Sequence, residues 1–331
     1  MKTLLLTEKN IKQLLAMDEV MDVVESAFKE KGLDQVQMPA KLYLFYKKHN
    51  GDLRAMPSYL EELDISAVKV VNVHPENRGK YDLPTVMATI VLIDPKNGAP
   101  LAIMGGTNIT DMRTGAAGGI AAKYLARKSS KVVGLVGAGA QSKTQLLALL
   151  SLYGKLREVK VWSRTEKTRD QFVAEMEPVC SGSTEIVSVG NIKDAAKDVD
   201  ILVTTTPSRK PIILGNWIAP GTHINCIGAD APGKEELEPS ILTKAKIVVD
   251  DWDQASHSGE INVPLAKGII TKRNVWGEIG KIVAGLKPGR TSSDEITVFT
   301  STGLAIQDAV TAELAYQKAL AKKIGSFVEI I

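Results

Sequence analysis

The chain has 331 residues, 24% of them charged and 44% hydrophobic, with a formal charge of +3. That length suffices for two domains of ordinary size, each with its own core. The charge is spread along the chain without a block of one sign, which argues against a nucleic-acid arm or a membrane patch. No apolar run reaches the roughly 18–20 residues that span a bilayer, and the stretch before Thr7 is too short for a signal segment. Cys180 and Cys226 lack the spacing of a zinc site or a disulfide framework and read as small buried residues in a reducing compartment. The expectation is a cytoplasmic protein with no metal and no nucleic-acid or membrane partner.

The first third reads as α+β. Thr7 caps a short helix, and Met17, Val20, Met21, Val24, Ala27 and Phe28 recur on one helical face. Strand-like runs follow at 41–46, 67–73, 86–93 and 100–104, the last two joined by the turn Asp94-Pro-Lys-Asn-Gly. Turn-joined strands without helices between them predict an antiparallel or mixed sheet. From about Lys131 the rhythm changes. Short strands at 132–136, 158–162, 185–189, 201–205, 223–227, 247–250 and 295–300 mostly alternate with helical segments such as 142–152 and 167–176. That alternation predicts parallel βαβ units and a doubly wound α/β sheet. An Ala-rich helix at 304–324 closes the chain. The expected division is a Rossmann-type domain at 116–304 and a second α+β domain from both chain ends, 1–115 plus 305–331.

The strongest chemical signal is Val132-Val-Gly-Leu-Val-Gly-Ala-Gly-Ala-Gln-Ser142. A buried strand runs into a glycine turn that opens a helix. Gly137 permits the turn, Gly139 lets backbone approach a pyrophosphate, and the first helical amides face its negative charge. Ser142 replaces the third glycine of the dinucleotide fingerprint, a small residue that still permits close packing. The site residues expected along this crevice are Gly137, Ala138, Gly139, Ala140 and Gln141. To them are added Thr205, Thr206 and Pro207 after the fourth strand and Ile227 after the fifth. Which dinucleotide binds depends on the end of the second strand, where an NAD-type site places an acid on the ribose. Here the residues are Ser163, Arg164 and Thr165, a guanidinium and two hydroxyls that suit a 2′-phosphate. NADP(H) is therefore favoured, and NAD(H) stays possible.

Four charged residues stand apart. Arg54 lies in Gly51-Asp-Leu-Arg-Ala-Met-Pro57, Lys69 in the apolar run Ala67-Val-Lys-Val-Val-Asn72, Arg113 in Asp111-Met-Arg-Thr-Gly115 and Asp230 in Ile227-Gly-Ala-Asp-Ala-Pro-Gly-Lys234. A lysine between β-branched neighbours can equally face water, and an aspartate beside Gly and Pro can be a turn former. Asp230, however, falls at the carboxyl end of a sheet strand, where open α/β sheets bind ligands. The cations suit a substrate carboxylate, and the aspartate suits a base.

These stretches, with Lys69–Pro75, Leu83–Ala88, Arg113–Leu125, Gly259-Glu-Ile-Asn262 and 294–308, resemble the ornithine cyclodeaminase/mu-crystallin family, nearest to its archaeal-type alanine dehydrogenases. The resemblance implies a homodimer paired through a shared β-barrel. It implies that Lys69 and Arg113 hold an amino acid's carboxylate, with Lys41 also near the substrate. It makes Asp230 the catalytic aspartate and puts Thr85, Thr114, Ser301 and Arg113 close to the cofactor. Where a cyclodeaminase has glutamate for the ornithine ammonium, this chain has Arg54, a substrate-side cation that would favour a short uncharged side chain. The function implied is oxidation of a small amino acid, most simply alanine, or the reverse reduction of an imine, with Lys69 and Asp230 in the chemistry. Ornithine cyclodeamination and a non-catalytic, crystallin-like binding role are the alternatives.

Overall fold

The structure is a computed structural model that describes residues 2–180, 182 and 184–330. The chain opens with β1 (Lys2–Leu6), α1 (Glu8–Leu14), α2 (Met17–Gly32), β2 (Val36–Gln37), β3 (Leu42–Tyr46), β4 (Gly51–Leu60), β5 (Ile65–Val73), α3 (Asn77–Lys80), β6 (Val86–Ile93), β7 (Pro100–Gly105) and α4 (Thr107–Leu125). Next come β8 (Val132–Val136), α5 (Ala140–Tyr153), β9 (Glu158–Trp162), α6 (Glu166–Met176), β10 (Glu185–Ser188), α7 (Ile192–Ala196) and β11 (Ile201–Thr204). They are followed by β12 (Arg209–Ile213), β13 (His223–Cys226), β14 (Glu235–Leu237), α8 (Pro239–Leu242), β15 (Lys246–Val249), α9 (Trp252–Ser258) and α10 (Asn262–Ala266). The chain ends with β16 (Val275–Glu278), α11 (Ile279–Val283), β17 (Thr297–Thr300), α12 (Ala305–Lys322) and β18 (Ser326–Glu329). Two compact units result, Met1–Arg113 with Leu304–Ile331, and Thr114–Gly303. No helix of the described residues is long and apolar enough to cross a membrane.

In the unit built from the chain ends, a mixed sheet runs β18-β1-β7-β6-β5-β4-β2, with β3 also paired to β4. Only β1 and β7 are parallel; the other pairs are antiparallel. Thr7 forms a capping box with Asn10 at the start of α1, and the expected apolar face of α2 is buried. α12 packs across β4, β5 and β6. Met56, Val71, Ala88 and Ala305 meet there in a small apolar cluster.

The sequence reading missed β1, β2, β4 and β18 in this unit, and the short β12, β14 and β16 in the other. Leu4-Leu-Leu6 has no strand alternation, and leucine favours helices. Pairing with β7 on one side and β18 on the other overrides that propensity. Gly51, Asp52 and Pro57 are poor strand formers, yet Asp52–Leu60 pairs continuously with β5. Pro57 is tolerated because β3 covers 51–55 and β2 covers 59–60 on the other edge, leaving 57 with no ladder partner there.

The second unit carries a parallel sheet in the order β10-β9-β8-β11-β13-β17-β15-β16. Its strands are nearly continuous apolar runs because helices cover both faces. Val133, Leu135, Val159, Val161, Leu146, Leu149 and Phe172 build one core, and Val132, Val136, Leu202, Ile224, Ile247 and Val298 belong to the other. This is the doubly wound α/β arrangement. The strand order turns back between β8 and β11, the topological switch point at which such sheets bind ligands.

Candidate functional site

Both loops at that switch point are built for close approach. After β8, Gly137 has φ +115°, and a Cβ there would come within 2.2 Å of Thr205 Oγ1. Nothing but glycine fits. Gly139 is exposed, and a Cβ on it would meet nothing within 4 Å. It is the N-cap of α5 with no side chain capping the helix, so the first amides of a 14-residue helix face outward, beside exposed Ala140 and half-buried Gln141. Ala138 is buried beneath the turn. Ser142, fully buried, donates its hydroxyl to Gly137 O at 2.7 Å and lies 2.7 Å from Thr205 Oγ1. The serine thus braces the turn that a third glycine would only have permitted. A positive-φ glycine, an open cradle and an uncapped long helix together fit a pyrophosphate.

The second strand's end is resolved residue by residue. Thr165 is the N-cap of α6: its Oγ1 accepts from Thr168 N at 3.4 Å and lies 2.6 Å from Thr168 Oγ1. Ser163 O accepts from Arg169 Nη1 at 2.9 Å, a basic residue the sequence reading passed over. Arg164 is exposed and makes no hydrogen bond or ion pair with the described residues. Of the three, Arg164 is the one with an uncommitted side chain.

On the other side of the switch point, Thr205 N donates to Val136 O at 2.9 Å, and Pro207 is exposed. Ile227, buried, donates its amide to Thr204 O at 2.9 Å. Asp230 follows β13 on the loop that begins there, and its Oδ1 accepts from Lys234 Nζ at 2.5 Å. Ser301, at the end of β17, turns its hydroxyl toward Asp250 Oδ2 at 3.5 Å. Thr114 is buried, and its carbonyl accepts from Gln145 Nε2 at 2.8 Å.

In the other unit the open question about Lys69 is settled by burial. β5 buries Ala67, Lys69 and Val71 on one face, the face that α12 covers, so Lys69 is 1% exposed. Its Nζ lies 2.6 Å from Asp308 Oδ2. Arg113, also buried, donates from Nε to Asp308 Oδ1 at 2.9 Å and from Nη1 to Gln307 Oε1 at 3.1 Å. Asp308 thus bridges the two cations. Burial above all, then the Arg113 guanidinium, pulls the Lys69 ammonium down to about 7 against the attraction of Asp308, with Lys41 adding to the fall. Burial likewise raises the nearby Asp111 carboxyl to about 6, against the pull of Arg113. Lys41 is half-buried just before β3, and Thr85, half-buried just before β6, accepts His74 N at 2.8 Å through its carbonyl.

Arg54 needs a revised account. It shares the inner face of β4 with Met56, whose cross-strand partner is Lys69. Its guanidinium, however, makes a forked pair with Asp52, Nε to Oδ1 at 2.9 Å and Nη2 to Oδ2 at 3.2 Å, and lies 5.3 Å from the Tyr43 ring centroid. The Asp52 carboxylate offsets the charge, so the repulsion of a substrate ammonium is weaker than a lone arginine would give.

Sequence reasoning missed Asp308, Gln307 and Asp111. A signal was present for the first two: Gln-Asp interrupts an Ala-rich helix whose neighbours Ala305, Ile306, Ala309 and Val310 are all buried.

Known proteins resemble this chain along its whole length. Residues 1–323 match the model of the ornithine cyclodeaminase/mu-crystallin family. The chain is 50% identical to the alanine dehydrogenase of Archaeoglobus fulgidus over 329 residues, 99% of each chain. An archaeal alanine dehydrogenase dimer with bound NAD superposes with a TM-score of 0.95, at 49% identity and 100% coverage of both chains. The Thermococcus litoralis Delta(1)-pyrroline-2-carboxylate reductase, in complex with NADH and L-proline, also gives 0.95, at 43% identity, covering 98% of this chain and 100% of that one. The chain belongs to the ornithine cyclodeaminase/mu-crystallin family.

Proposed function

We propose that the protein is a nicotinamide-dependent oxidoreductase acting on the CH–NH2 or C=N group of a small amino or imino acid, alanine foremost. The observation that carries this reading is the buried Lys69–Asp308–Arg113 cluster, two cations sharing one bridging carboxylate. Such a cluster suits a carboxylate-bearing substrate. The nicotinamide ring, when bound, takes hydride from the substrate α-carbon or returns it to the C=N carbon. Lys69 and Arg113 hold the substrate carboxylate, which fixes the direction in which the α-carbon presents its hydrogen. Asp230 accepts the proton of the water that adds to the oxidised carbon, so that ammonia can leave. Lys41 and Arg54 border the substrate.

A substrate panel tests this. Alanine, other small amino acids and ornithine are each incubated with NAD+ or NADP+, and reduced-nicotinamide absorbance is followed. Net reduced cofactor from alanine, or its consumption by a cyclic imino acid, supports the reading. Proline and ammonia from ornithine without net reduced cofactor would make the protein a cyclodeaminase instead.

For the cofactor, Gly137, Gly139 and the amides of Ala140 and Gln141 cradle the pyrophosphate, with Thr205, Thr206, Pro207, Ile227, Ser301, Thr85 and Thr114 around the rest. Arg164, exposed, with no carboxylate among residues 161–165, favours NADP(H). A charge-assisted contact to the 2′-phosphate contributes roughly 1.5–3 kcal/mol, about 10- to 150-fold in affinity. Arg164→Ala should weaken NADPH binding by about that factor and leave NADH nearly unchanged. Titration of both cofactors checks it; equal losses, or a wild type that prefers NADH, would make Arg164 a surface residue.

A homodimer completes the proposal. On β3, Leu42 and Leu44 on one face and Phe45 on the other are 57%, 50% and 66% exposed, apolar surface on a sheet edge that a monomer would leave in water. Sedimentation at micromolar concentration should give a dimer. A monomer there would exclude it.

A further inference from the structure

Behind the switch point lies a second cluster that the proposed mechanism does not use. Glu236 of β14 is fully buried, and both of its carboxylate oxygens are occupied. Oε1 accepts from Thr206 N and Thr206 Oγ1, both at 2.7 Å. Oε2 accepts from Thr204 Oγ1 at 2.7 Å and Gly228 N at 3.1 Å. Thr206 N and Gly228 N can only donate, one to each oxygen, and the two hydroxyls complete the set. An ionised carboxylate offers about four lone-pair sites and no hydrogen, so this setting matches its capacity; a protonated acid or an amide would set a hydrogen against a donor. The donors come from two segments, Thr204–Pro207 at the end of β11 and the loop it opens, and Ile227–Asp230 after β13. The loops are pressed together here: a Cβ on Gly228 would come within 2.2 Å of Thr206 O and 2.6 Å of Glu236 Oε2.

A second buried carboxyl stands beside the first. Glu260 Oε1 accepts from Glu236 N at 2.8 Å and Leu237 N at 2.6 Å. Its Oε2 is buried and has no hydrogen-bond partner among the described residues. Burial raises both carboxyls: Glu236 to about 7, held down by its hydrogen bonds from Thr206, Thr204 and Gly228, and Glu260 further still, with the charge of Glu236 adding to the rise. The neutral acid therefore belongs at Glu260, whose Oε1 accepts from the β14 amides rather than from either loop's donors.

We propose that Glu236 is a positioning residue for the hydride-transfer reaction: as a carboxylate it holds the Thr204–Pro207 and Ile227–Asp230 loops in register, while Glu260 behind it carries the proton. The idea rests on the oxidoreductase reading, because those loops hold the residues assigned to the cofactor and to Asp230. It also makes an asymmetric claim about two adjacent glutamates that the oxidoreductase reading does not require.

The test compares Glu236→Gln and Glu260→Gln in the full chain. Glu260→Gln keeps an acceptor for both amides and a neutral second atom, so melting point, NADPH and NADH affinity and kcat should stay within about threefold of wild type. Glu236→Gln sets an NH2 group against loop donors. It should weaken dinucleotide binding by about tenfold and lower kcat by about 10- to 100-fold, the scale of a sub-ångström to 1 Å misplacement. The substrate KM should move less than kcat, and the isotope effect with α-deuterated amino acid should persist or grow. In infrared spectra the buried carboxylic-acid band should vanish in Glu260→Gln. Should Glu236→Gln fail to fold, Thr206→Val removes one of the four donors and should show the same kcat-weighted loss at smaller size.

Loss of melting temperature with normal kcat and dinucleotide affinity per folded site would reduce Glu236 to a structural role and overturn the proposal. So would the reverse pattern, with the acid band lost in Glu236→Gln. If wild type turns over no amino or imino acid, but Glu236→Gln alone weakens dinucleotide binding, the oxidoreductase reading falls and the assignment of Glu236 to the loops stands.

Discussion

Asp230→Asn should lower turnover by roughly 10²- to 10⁴-fold, the range of a positioned general base, while NADPH and NADH affinities change little. The substitution keeps size and polarity and removes only the capacity to accept a proton. Asp230 lies four residues beyond Cys226, the last residue of β13, on a loop whose start is held by Ile227 N and Gly228 N to Thr204 O. Lys234 on the same loop donates to its Oδ1 at 2.5 Å and orients the carboxylate. A base of this kind keeps its backbone when its charge is lost, so binding and chemistry separate in the measurement. Steady-state rates beside cofactor titrations read both. Near-normal kcat in Asp230→Asn would remove it from the chemistry and leave it a loop residue paired to Lys234.

Lys69→Met should raise the KM of the carboxylate substrate and cut kcat/KM by about 10- to 150-fold, the worth of one charge-assisted hydrogen bond. The methionine fills the buried volume, and Arg113 still pairs Asp308, so the fold should survive. The pH dependence gives a sharper signature. With the folded ammonium lowered to about 7, wild-type KM should rise as pH passes upward through that value and the charge is lost, whereas Lys69→Met should stay flat. Stability should move the opposite way. An unfolded lysine titrates near about 10.4, so between about 7 and about 10.4 the unfolded chain binds more protons and wild-type stability rises with pH. Denaturant midpoints from pH 6 to 10 should show that rise in wild type and lose it in Lys69→Met. Parallel slopes in the two proteins would mean that Lys69 titrates as an ordinary lysine.

Most of the parallel sheet was legible because buried parallel strands write themselves as short apolar runs, and because the positive φ of Gly137 demands a residue that the sequence shows directly. The mixed sheet was harder. β4 hides behind Gly51, Asp52 and Pro57, and its strand character comes from pairing with β5, a contact no local window contains. The same holds for the site. Lys69 sits on a strand whose alternation allows either face, and only α12 decides that it points inward. Asp308 joins Lys69 to Arg113 across 195 positions of sequence from the latter, beyond any spacing rule. Arg54 was read by its own charge, while its nearest neighbour Asp52, two residues earlier, changes what that charge does. Glu236 was invisible for a related reason: its role lies in four donors from loops that converge only in the folded sheet.

The central claim, that hydride passes between an amino acid's α-carbon and the nicotinamide, is tested most directly by following an isotope rather than a rate. The protein is incubated with NADP+ or NAD+ and alanine carrying deuterium at the α-carbon, and the reduced cofactor is isolated and weighed by mass spectrometry. The account predicts one deuterium on the nicotinamide ring for each pyruvate formed. Pyruvate formed with the deuterium released to water, or no reduced cofactor from any amino acid in the panel, would contradict it.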